Sequence, residues 1–346
     1  MKMKFIAIAV ASAIPAYSAS AATVFENDDT TLNIGGRIEV RGNISDANKD
    51  DENKDNGGNS NSFDDKSRAR LSVDGKKTIS NDVAFVGKYE FELTEKDDNS
   101  KDDTEINTRH LYTGVESSLG NLYYGHQNNA LTYLTDWTDM AEVYSGYVNE
   151  YTVASADRAK NVLRYTIATD SGLTFQVSGN FNSESEYDAN RSDGYSTVLA
   201  YSLPMGVELG IGYASSDETY GNGTDKDTSD AYILAARYTN ENGISAATMY
   251  QAGSISKLGI KDSDYNAVET YLGYSFGDNA INLTYNYFSA DDIDELDIQF
   301  VAAEYARYFG NVALYGSYKY NLLDNGDGGY GDNDKDELML GMRYAF

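Results

Sequence analysis

Residues 172–181 read Gly-Leu-Thr-Phe-Gln-Val-Ser-Gly-Asn-Phe and alternate between apolar and small polar side chains. Leu173, Phe175, Val177 and Phe181 fall on one face of an extended chain, and the Thr, Gln, Ser and Asn side chains between them fall on the other. A helix would not separate the two classes at this spacing, because its side chains repeat about every 3.6 residues. The stretch therefore predicts a β-strand with one apolar and one polar face.

The same alternation recurs sixteen times between residue 31 and the C-terminus. Short connections such as 80–81 and 277–278 alternate with long ones rich in Asp, Asn, Gly and Ser. This asymmetry is typical of bacterial outer-membrane barrels, in which closure removes the open edges that hydrocarbon does not tolerate. The sequence therefore predicts an all-β fold, a 16-stranded antiparallel transmembrane β-barrel. The segments span approximately residues 31–43, 66–79, 82–94, 105–118, 121–127, 160–169, 172–182, 194–203, 206–215, 228–239, 243–252, 265–276, 279–288, 296–308, 311–322 and 335–346.

The N-terminus has the features of a secretory signal peptide. Lys2 and Lys4 precede the apolar run 5–14, Pro15 ends that run, and Ala-Ser-Ala at 19–21 offers a cleavage site. We therefore expect residues 1–21 to be a signal peptide and 22–346 to form the barrel. No later run approaches the 18 or so apolar residues that a membrane-spanning helix needs.

The composition restricts the possible functions. Removal of the signal peptide takes away two lysines and no acid, so the net charge falls from −28 to −30. A chain this acidic does not bind nucleic acid through its phosphates. The absence of cysteine excludes disulfides, thiolate metal sites and cysteine nucleophiles. Thirty tyrosines against one tryptophan favour a membrane surface, where amphipathic rings accumulate. The alternative to a membrane barrel is a secreted β-sandwich or β-solenoid adhesin. The polar face of the predicted strands carries small side chains, however, and offers no apolar core against which a second sheet could pack.

The segment between residues 127 and 160 is the longest connection. It contains Leu131, Leu134, Trp137 and several tyrosines, which is too apolar for a disordered external loop. We expect this third long loop to fold into the lumen and pack on the inner wall. The alternation of the fourth segment predicts that Leu111, Thr113 and Val115 face inward and could seat the loop, with His110 on the outer face.

Alternation also places arginines on the lumen side. In the first segment Ile38 and Val40 face lipid, which turns Arg37 inward, and in the second segment Arg68 and Arg70 face inward. Arg109 has the inward position in the fourth segment, and Arg158 stands where the loop rejoins the wall. The alternative is that some of these arginines only pair with barrel acids, namely Glu39, Glu90 and Glu92.

Seven short motifs occur along the mature chain, and in order and spacing they resemble those of one known family. They are Leu-Asn-Ile-Gly-Gly-Arg at 32–37, Ser-Arg-Ala-Arg-Leu at 67–71, Asn-Thr-Arg at 107–109, Tyr-Tyr-Gly at 123–125, Thr-Asp-Met at 138–140, Ala-Asp-Arg at 156–158 and Gly-Met-Arg-Tyr-Ala-Phe at 341–346. The family is that of the trimeric general diffusion porins of Gram-negative bacteria. One departure lies at 141–146, where this chain has Ala-Glu-Val-Tyr-Ser-Gly and the family often has Pro-Glu-Phe-Gly-Gly.

The resemblance implies a pore constriction in which a basic wall faces two acids of the third loop, Asp139 and Glu142. Such an arrangement sets up a transverse field that orients dipolar solutes. The expected constriction residues are Arg37, Arg68, Arg70, Arg109, Arg158, Asp139 and Glu142. The expected function is passive diffusion of ions and small hydrophilic solutes across the outer membrane. The basic residues near the constriction outnumber the two loop acids, but the net charge and the inward acids favour a weak preference for cations. These inward acids are Glu39, Glu90, Glu92, Glu208, Glu269 and Glu304.

Two other functions stay open at this point. A substrate-specific channel would need an aromatic lumen, whereas most tyrosines here take the outward position. A surface adhesin or phage receptor could act through the long loops. An enzyme is not expected, because only His110 and His126 are present and no serine or aspartate stands beside them at catalytic spacing. We expect no catalytic residue, no cofactor and no metal site.

The expected partners follow from the resemblance and the charge. They are two further copies of the chain in a homotrimer, outer-membrane lipid, lipopolysaccharide bridged by divalent cations, and the permeating solutes. The trimer interface would use the first five segments and the loop near 95–104. Acidic stretches at 46–55, 225–230 and 324–337 suggest calcium, but the Gly and the terminal Glu of a calcium loop are misplaced, which favours solvated loops.

Overall fold

The computed structural model describes residues 21–49, 62–95, 104–183, 191–219, 226–257, 260–323 and 334–346. The predicted signal peptide, apart from Ala21, lies outside the described residues. The three acidic stretches and the loop near 95–104 lie partly or almost wholly outside them. Among the residues that are described, no helix is long or apolar enough to cross a bilayer, and no group of His, Cys, Asp and Glu side chains is arranged to hold a metal ion.

The described chain is built almost entirely of strands, with short helical turns in the connections. The strands are β1 Ala22–Glu26, β2 Thr30–Ser45, β3 Phe63–Asp65, β4 Arg68–Thr78, β5 Val83–Glu95, β6 Thr104–Ser117, β7 Gly120–Asn128, β8 Arg158–Ala168, β9 Leu173–Ser183, β10 Arg191–Ser202, β11 Val207–Thr219, β12 Asp227–Thr239, β13 Ile244–Lys257, β14 Ile260–Phe276, β15 Asn279–Ala290, β16 Ile298–Phe309, β17 Val312–Asn321 and β18 Glu337–Ala345. The α-helix α1 spans Thr132–Thr135, and 3₁₀ turns span Asp46–Asn48, Tyr147–Asn149, Ala154–Ala156, Pro204–Gly206 and Asp294–Leu296.

Sixteen long strands, β2 and β4 to β18, form one closed antiparallel barrel. Each pairs with the next along the chain, and β18 closes the ring against β2 with the Ala345–Arg37 and Glu337–Ser45 pairs. The short strands β1 and β3 add to β2 without joining the ring of long strands. Each of the sixteen predicted segments overlaps one long strand, so the predicted number, order and closure are confirmed.

The two faces of the barrel follow the alternation in the sequence. On β9, Phe175 and Val177 lie exposed on the outer surface, whereas Gln176, Ser178 and Asn180 are buried on the inner surface. An apolar outer band is stable in lipid, and the short polar residues leave room inside. The barrel is therefore apolar outside and polar inside.

The connection between β7 and β8, residues 129–157, folds into the barrel as predicted. Its apolar side chains Leu131, Leu134, Trp137 and Tyr151 are almost fully buried in one cluster with inner-wall residues of β10 to β18. The inside of the barrel thus contains a packed core on one side, which confines the open lumen to the other side.

Candidate pore constriction

A notch in β11 seats the third loop. Gly210 and Gly212 face inward, and a Cβ atom at Gly210 would lie 2.3 Å from Leu134 Cδ2 and 3.1 Å from the Trp137 ring. A Cβ atom at Gly212 would lie 2.3 Å from Leu131 Cδ1. A Cβ atom at either position would displace the end of a leucine side chain, so the loop packs closely where the wall has no side chains.

Polar side chains of the wall complete this attachment by accepting hydrogen bonds from main-chain N–H groups of the loop. The glutamate contacts are Ala154 N to Glu218 Oε1 at 2.6 Å, Gly146 N to Glu269 Oε1 at 2.5 Å and Glu142 N to Glu304 Oε1 at 3.0 Å. The serine contacts are Ala130 N to Ser178 Oγ at 2.9 Å, Leu131 N to Ser196 Oγ at 3.3 Å and Ser155 N to Ser216 Oγ at 2.9 Å. Glu269 and Glu304 are buried. Both therefore bind the loop and do not line open lumen, although the sequence suggested that they attract cations there.

The predicted orientation of the fourth segment was wrong beyond Arg109. A β-bulge interrupts the β5–β6 register, so that His110 lies opposite Glu90 while Thr108 lies opposite Phe91. An extra residue in one strand reverses the faces of the residues that follow it. Leu111, Thr113 and Val115 consequently take the outer face, with Leu111 56% exposed, and His110 faces the lumen. Leu111, Thr113 and Val115 therefore do not seat the third loop.

Arg109 still reaches the lumen because it lies at this bulge. Its Nε donates to Glu90 Oε1 at 3.1 Å, and Lys88 Nζ lies 2.9 Å from the other oxygen of that carboxylate. Glu90 is on the inner wall and is almost fully buried. The bulge therefore places Arg109 and His110 on the same side of the strand.

Arg37, Arg68, Arg70 and Arg109 form a continuous row on the inner wall. Arg37 and Arg70 are directly paired across β2 and β4, and each of the four side chains is between 19% and 24% exposed. We refer to these four residues as the arginine row.

Wall glutamates alternate with the arginine row. The closest ion pairs are Arg37 Nη2 to Glu39 at 3.9 Å, Arg68 Nε to Glu39 at 2.5 Å, Arg70 Nη2 to Glu92 at 2.5 Å and Arg109 Nε to Glu90 at 3.1 Å. The arginines therefore pair with barrel acids and also line the lumen, so the two interpretations of the sequence are compatible. Together with Lys88, the row sets five cations against three carboxylates.

Two loop carboxylates, Asp136 and Asp139, are exposed to the lumen. Ser145 Oγ donates to Asp139 Oδ1 at 2.8 Å, while no described residue makes a hydrogen bond or ion pair with the Asp136 carboxylate. The loop and the wall surround both groups and reduce their hydration, which raises the pKa of Asp139 and raises the pKa of Asp136 to about 7. Lumen water at their exposed faces limits this rise. Asp136 was not among the predicted constriction residues.

Glu142 is held in an ion pair rather than left open to the lumen. Arg343 Nη1 lies 2.6 Å from Glu142 Oε2, and the Tyr308 hydroxyl lies 3.3 Å from the other oxygen. Burial raises the pKa of Glu142, and the Arg343 guanidinium opposes that rise. Arg343 was not among the predicted constriction residues, although the outward Met342 and Tyr344 on either side already indicate that it faces inward.

Arg158 stands on β8, outside the three strands that carry the arginine row. It is 7% exposed at the start of β8, and its main-chain N–H donates to Asp157 Oδ1 at 2.7 Å. Arg164, further along the same strand, is half-buried on the inner wall with its guanidinium 5.7 Å from the centre of the Tyr123 ring. The structure therefore brings six of the seven predicted residues to the inner wall or the loop around the lumen and buries the seventh.

A closed sixteen-stranded barrel with an apolar outside, an inward loop and charged groups on both sides of the lumen defines a channel protein of the porin class. The chain belongs to the Gram-negative porin family, whose sequence profile matches residues 6–327. Porin-like protein L of Photobacterium profundum is 33% identical over 356 residues, covering the whole of both chains. The chain is thus an outer-membrane porin that forms a diffusion channel, and the predicted family, function and location are confirmed.

Solved structures show the same fold. Salmonella typhi OmpF, solved in complex with daunomycin, aligns with a TM-score of 0.78 over 93% of this chain and 99% of that chain, at 18% identity. The trimer form of Vibrio cholerae OmpT aligns with a TM-score of 0.67 over 92% of this chain and all of that chain, at 15% identity. At these identities the two structures support the barrel architecture alone.

Proposed function

We propose that the arginine row and the loop carboxylates Asp136 and Asp139 form the constriction of the pore, and that the channel weakly prefers cations. The observation that carries the proposal is the set of ion pairs between the cations and the glutamates of the inner wall. Five wall cations face three wall glutamates, which leaves an excess of two positive charges. When both are ionised, above the raised pKa of Asp136, Asp136 and Asp139 offset these two charges, and the Glu142–Arg343 pair adds none.

A balanced constriction leaves the choice between ions to the rest of the molecule. The chain carries a net charge of −28. A summed negative potential raises the concentration of cations at both mouths of the pore. Cations are thus favoured weakly, because the arginine row, Lys88 and the carboxylates counted with them contribute no net charge at the constriction, which weighs most in selectivity.

The same arrangement separates charge across the lumen. The arginine row lies on β2, β4 and β6, and the free loop acids stand away from it on the third loop, which packs on the opposite wall around β11. This separation creates a transverse field, which orients dipolar solutes and disfavours apolar ones. The function needs no catalysed reaction, cofactor or energy source.

We further propose a homotrimer with an interface on β2 and β4 to β7, the first five of the sixteen long strands. Support comes from the trimer form reported for the related fold of Vibrio cholerae OmpT. Lipopolysaccharide bound through divalent cations at the acidic loops is part of the same proposal.

The experiment is single-channel recording of the purified protein in a planar bilayer, with the reversal potential measured under a salt gradient. We expect ohmic steps that close in threes and a reversal potential of the sign for cation preference. A folded, detergent-stable barrel without conductance would contradict the open pore, and the opposite sign would contradict the charge count.

The same recording separates general diffusion from a substrate-specific channel. Tyr112 and Tyr123 face the lumen below the constriction with ring centres 5.4 Å apart, whereas Tyr271, Tyr308 and Tyr315 on the inner wall are buried. Two adjacent rings do not make a continuous aromatic path. We expect neutral sugars to cause no current interruptions, whereas saturable blocking would favour the substrate-specific alternative.

A further inference from the structure

Two tyrosines and an arginine form a second row on the inner wall, apart from the arginine row. Tyr112 on β6, Tyr123 on β7 and Arg164 on β8 face the lumen and are half-buried. Tyr123 pairs with Arg164 in the register, and Tyr112 pairs with Gly125, two residues further along β7. The two tyrosine ring centres lie 5.4 Å apart, and the Arg164 guanidinium lies 5.7 Å from the centre of the Tyr123 ring. We refer to Tyr112, Tyr123 and Arg164 as the periplasmic cluster.

The height of this cluster in the pore follows from the strand ends. Tyr123 lies three residues after the start of β7, and Arg164 lies four residues before the end of β8. Those two ends lead into the short connections to β6 and β9, and short connections mark the periplasmic end of such barrels. On β6, Arg109 lies further from this end than Tyr112 does. The periplasmic cluster therefore lies between the arginine row and the periplasmic mouth of the pore.

The Arg164 guanidinium keeps hydrogen-bond donors that other residues of the barrel do not use. Its Nη1 donates to the main-chain oxygen of Asn128 at 3.3 Å, and no other acceptor among the described residues contacts the group. None of the described carboxylates makes an ion pair with it, although the chain as a whole is strongly acidic. A guanidinium carries several N–H donors in one plane and binds a carboxylate through two of them. Arg164 is therefore available to the carboxylate of a solute in the lumen.

Asp136 on the third loop supplies an opposite charge near the cluster. The reduced hydration of its carboxylate raises the pKa of Asp136 to about 7, and among the cations Arg164 opposes this rise the most. Tyr112, Tyr123 and Asp136 are in turn the groups that act electrostatically on Arg164. The two charges are thus close enough to interact, although they form no direct ion pair. A solute that carries both an anion and a cation can bridge them.

We propose that the periplasmic cluster and Asp136 bind zwitterionic aromatic amino acids on their way through the pore. The solute carboxylate binds Arg164, its ammonium group faces Asp136, and its ring packs against Tyr112 and Tyr123. Phenylalanine spans about 5 Å from its ring centre to its carboxylate, which is the scale of the separations within the cluster. A neutral sugar has neither charge and gains little from these groups. The inference rests on the open pore of the proposed function, and weak binding is compatible with passive diffusion.

The test records single channels of the full-length protein in a planar bilayer at pH 8, where Asp136 is ionised. Phenylalanine should increase the current noise in a saturable way. Glycine, which has no ring, and 3-phenylpropionate, which has no ammonium group, should both bind more weakly. Arg164→Gln should raise the half-saturating concentration of phenylalanine roughly tenfold, because a charge-assisted hydrogen bond is lost. Tyr112→Leu should raise it about fivefold through the loss of ring packing.

Asp136→Asn separates direct contact with the solute from a merely structural role. It should weaken the binding of phenylalanine but not that of 3-phenylpropionate, whereas a general distortion of the lumen would weaken both. Arg307→Gln and Tyr201→Leu are the matched controls, because each removes the same type of side chain from the outer surface of the barrel. Both controls should keep the half-saturating concentration of the unmodified channel.

Three outcomes would overturn the proposal while leaving the diffusion pore intact. Phenylalanine could leave the current noise unchanged, the half-saturating concentration could be equal in all variants, or 3-phenylpropionate could bind as tightly as phenylalanine. The conductance measured before any solute is added tests the pore itself in the same recording. Its absence would contradict the proposed function and, with it, this site.

Discussion

Selectivity should depend on the free carboxylates of the third loop and not on the paired one. We compare Asp136→Asn/Asp139→Asn with Glu142→Gln/Arg343→Gln. The first double variant removes two negative charges exposed to the lumen, whereas the second removes an ion pair of 2.6 Å without changing the net charge. Asp136→Asn, Asp139→Asn and Glu142→Gln keep the shape of each side chain, whereas Arg343→Gln shortens a side chain that is paired with Glu142, so any steric effect of the second variant should appear in its single-channel conductance.

The size of the effect follows from Coulomb's law. An ion passing about 5 Å from a carboxylate in water interacts with it by about 0.8 kcal/mol. A Debye length of about 10 Å at 0.1 M salt reduces this energy to about 0.5 kcal/mol. The effects on K⁺ and Cl⁻ have opposite signs, so each carboxylate changes their permeability ratio by about 1 kcal/mol, or about fivefold. Removing both should shift the ratio towards chloride by up to about thirtyfold.

The assay is the reversal potential in a planar bilayer under a tenfold KCl gradient, with single-channel conductance recorded for the same variants. Glu142→Gln/Arg343→Gln should keep the reversal potential of the unmodified channel. Equal shifts from the two double variants, or no shift from Asp136→Asn/Asp139→Asn, would refute the charge balance on which the proposed selectivity rests.

Three further predictions concern the loop and its titration. Gly210→Val should lower single-channel conductance, because the new side chain meets Leu134 and displaces the loop towards the lumen at a cost of roughly 1–3 kcal/mol, whereas the outward Ile211→Val should not. Glu304→Ala removes the acceptor of the hydrogen bond from the Glu142 main-chain N–H, a loss of roughly 1–3 kcal/mol. The loop should then move more, which increases current fluctuations at unchanged mean conductance. Current fluctuations equal to those of the unmodified channel would contradict the role of Glu304 in holding the loop. Acidification from pH 7.5 to 5 should reduce cation preference, because the raised pKa of Asp136, about 7, makes that group neutral as the pH falls. Asp136→Asn should remove most of this pH dependence, and an unchanged pH profile in that variant would exclude Asp136 as its source.

Arg109 and His110 show where interpretation from sequence stops. Alternation within one strand predicts faces correctly as long as the register is continuous, which is why Arg37, Arg68 and Arg70 were placed correctly. A bulge depends on the neighbouring strand and leaves no mark in the alternation of a single segment. The residues after Arg109 were consequently assigned to the wrong face, while Arg109 itself was placed correctly because the bulge lets two successive side chains face the lumen.

The missed residues divide in the same way. Arg343 could have been found, since the alternation of the C-terminal segment already turns it inward. Asp136 could not, because the third loop has no regular period from which the direction of a side chain follows. Its exposure to the lumen results from how Leu131, Leu134 and Trp137 pack against the wall.

The sequence by itself determined the strand number, the lipid and lumen faces, and the closed barrel. These properties follow from a period of two, which is local, repeated along the whole chain and required by the membrane. Only the tertiary structure decided where the loop packs on the wall. It also decided which acids bind main-chain N–H groups of the loop and which are exposed to the lumen. Those outcomes depend on contacts between residues far apart in sequence, such as Gly210 with Leu134 and Glu142 with Arg343, and no local period encodes such contacts.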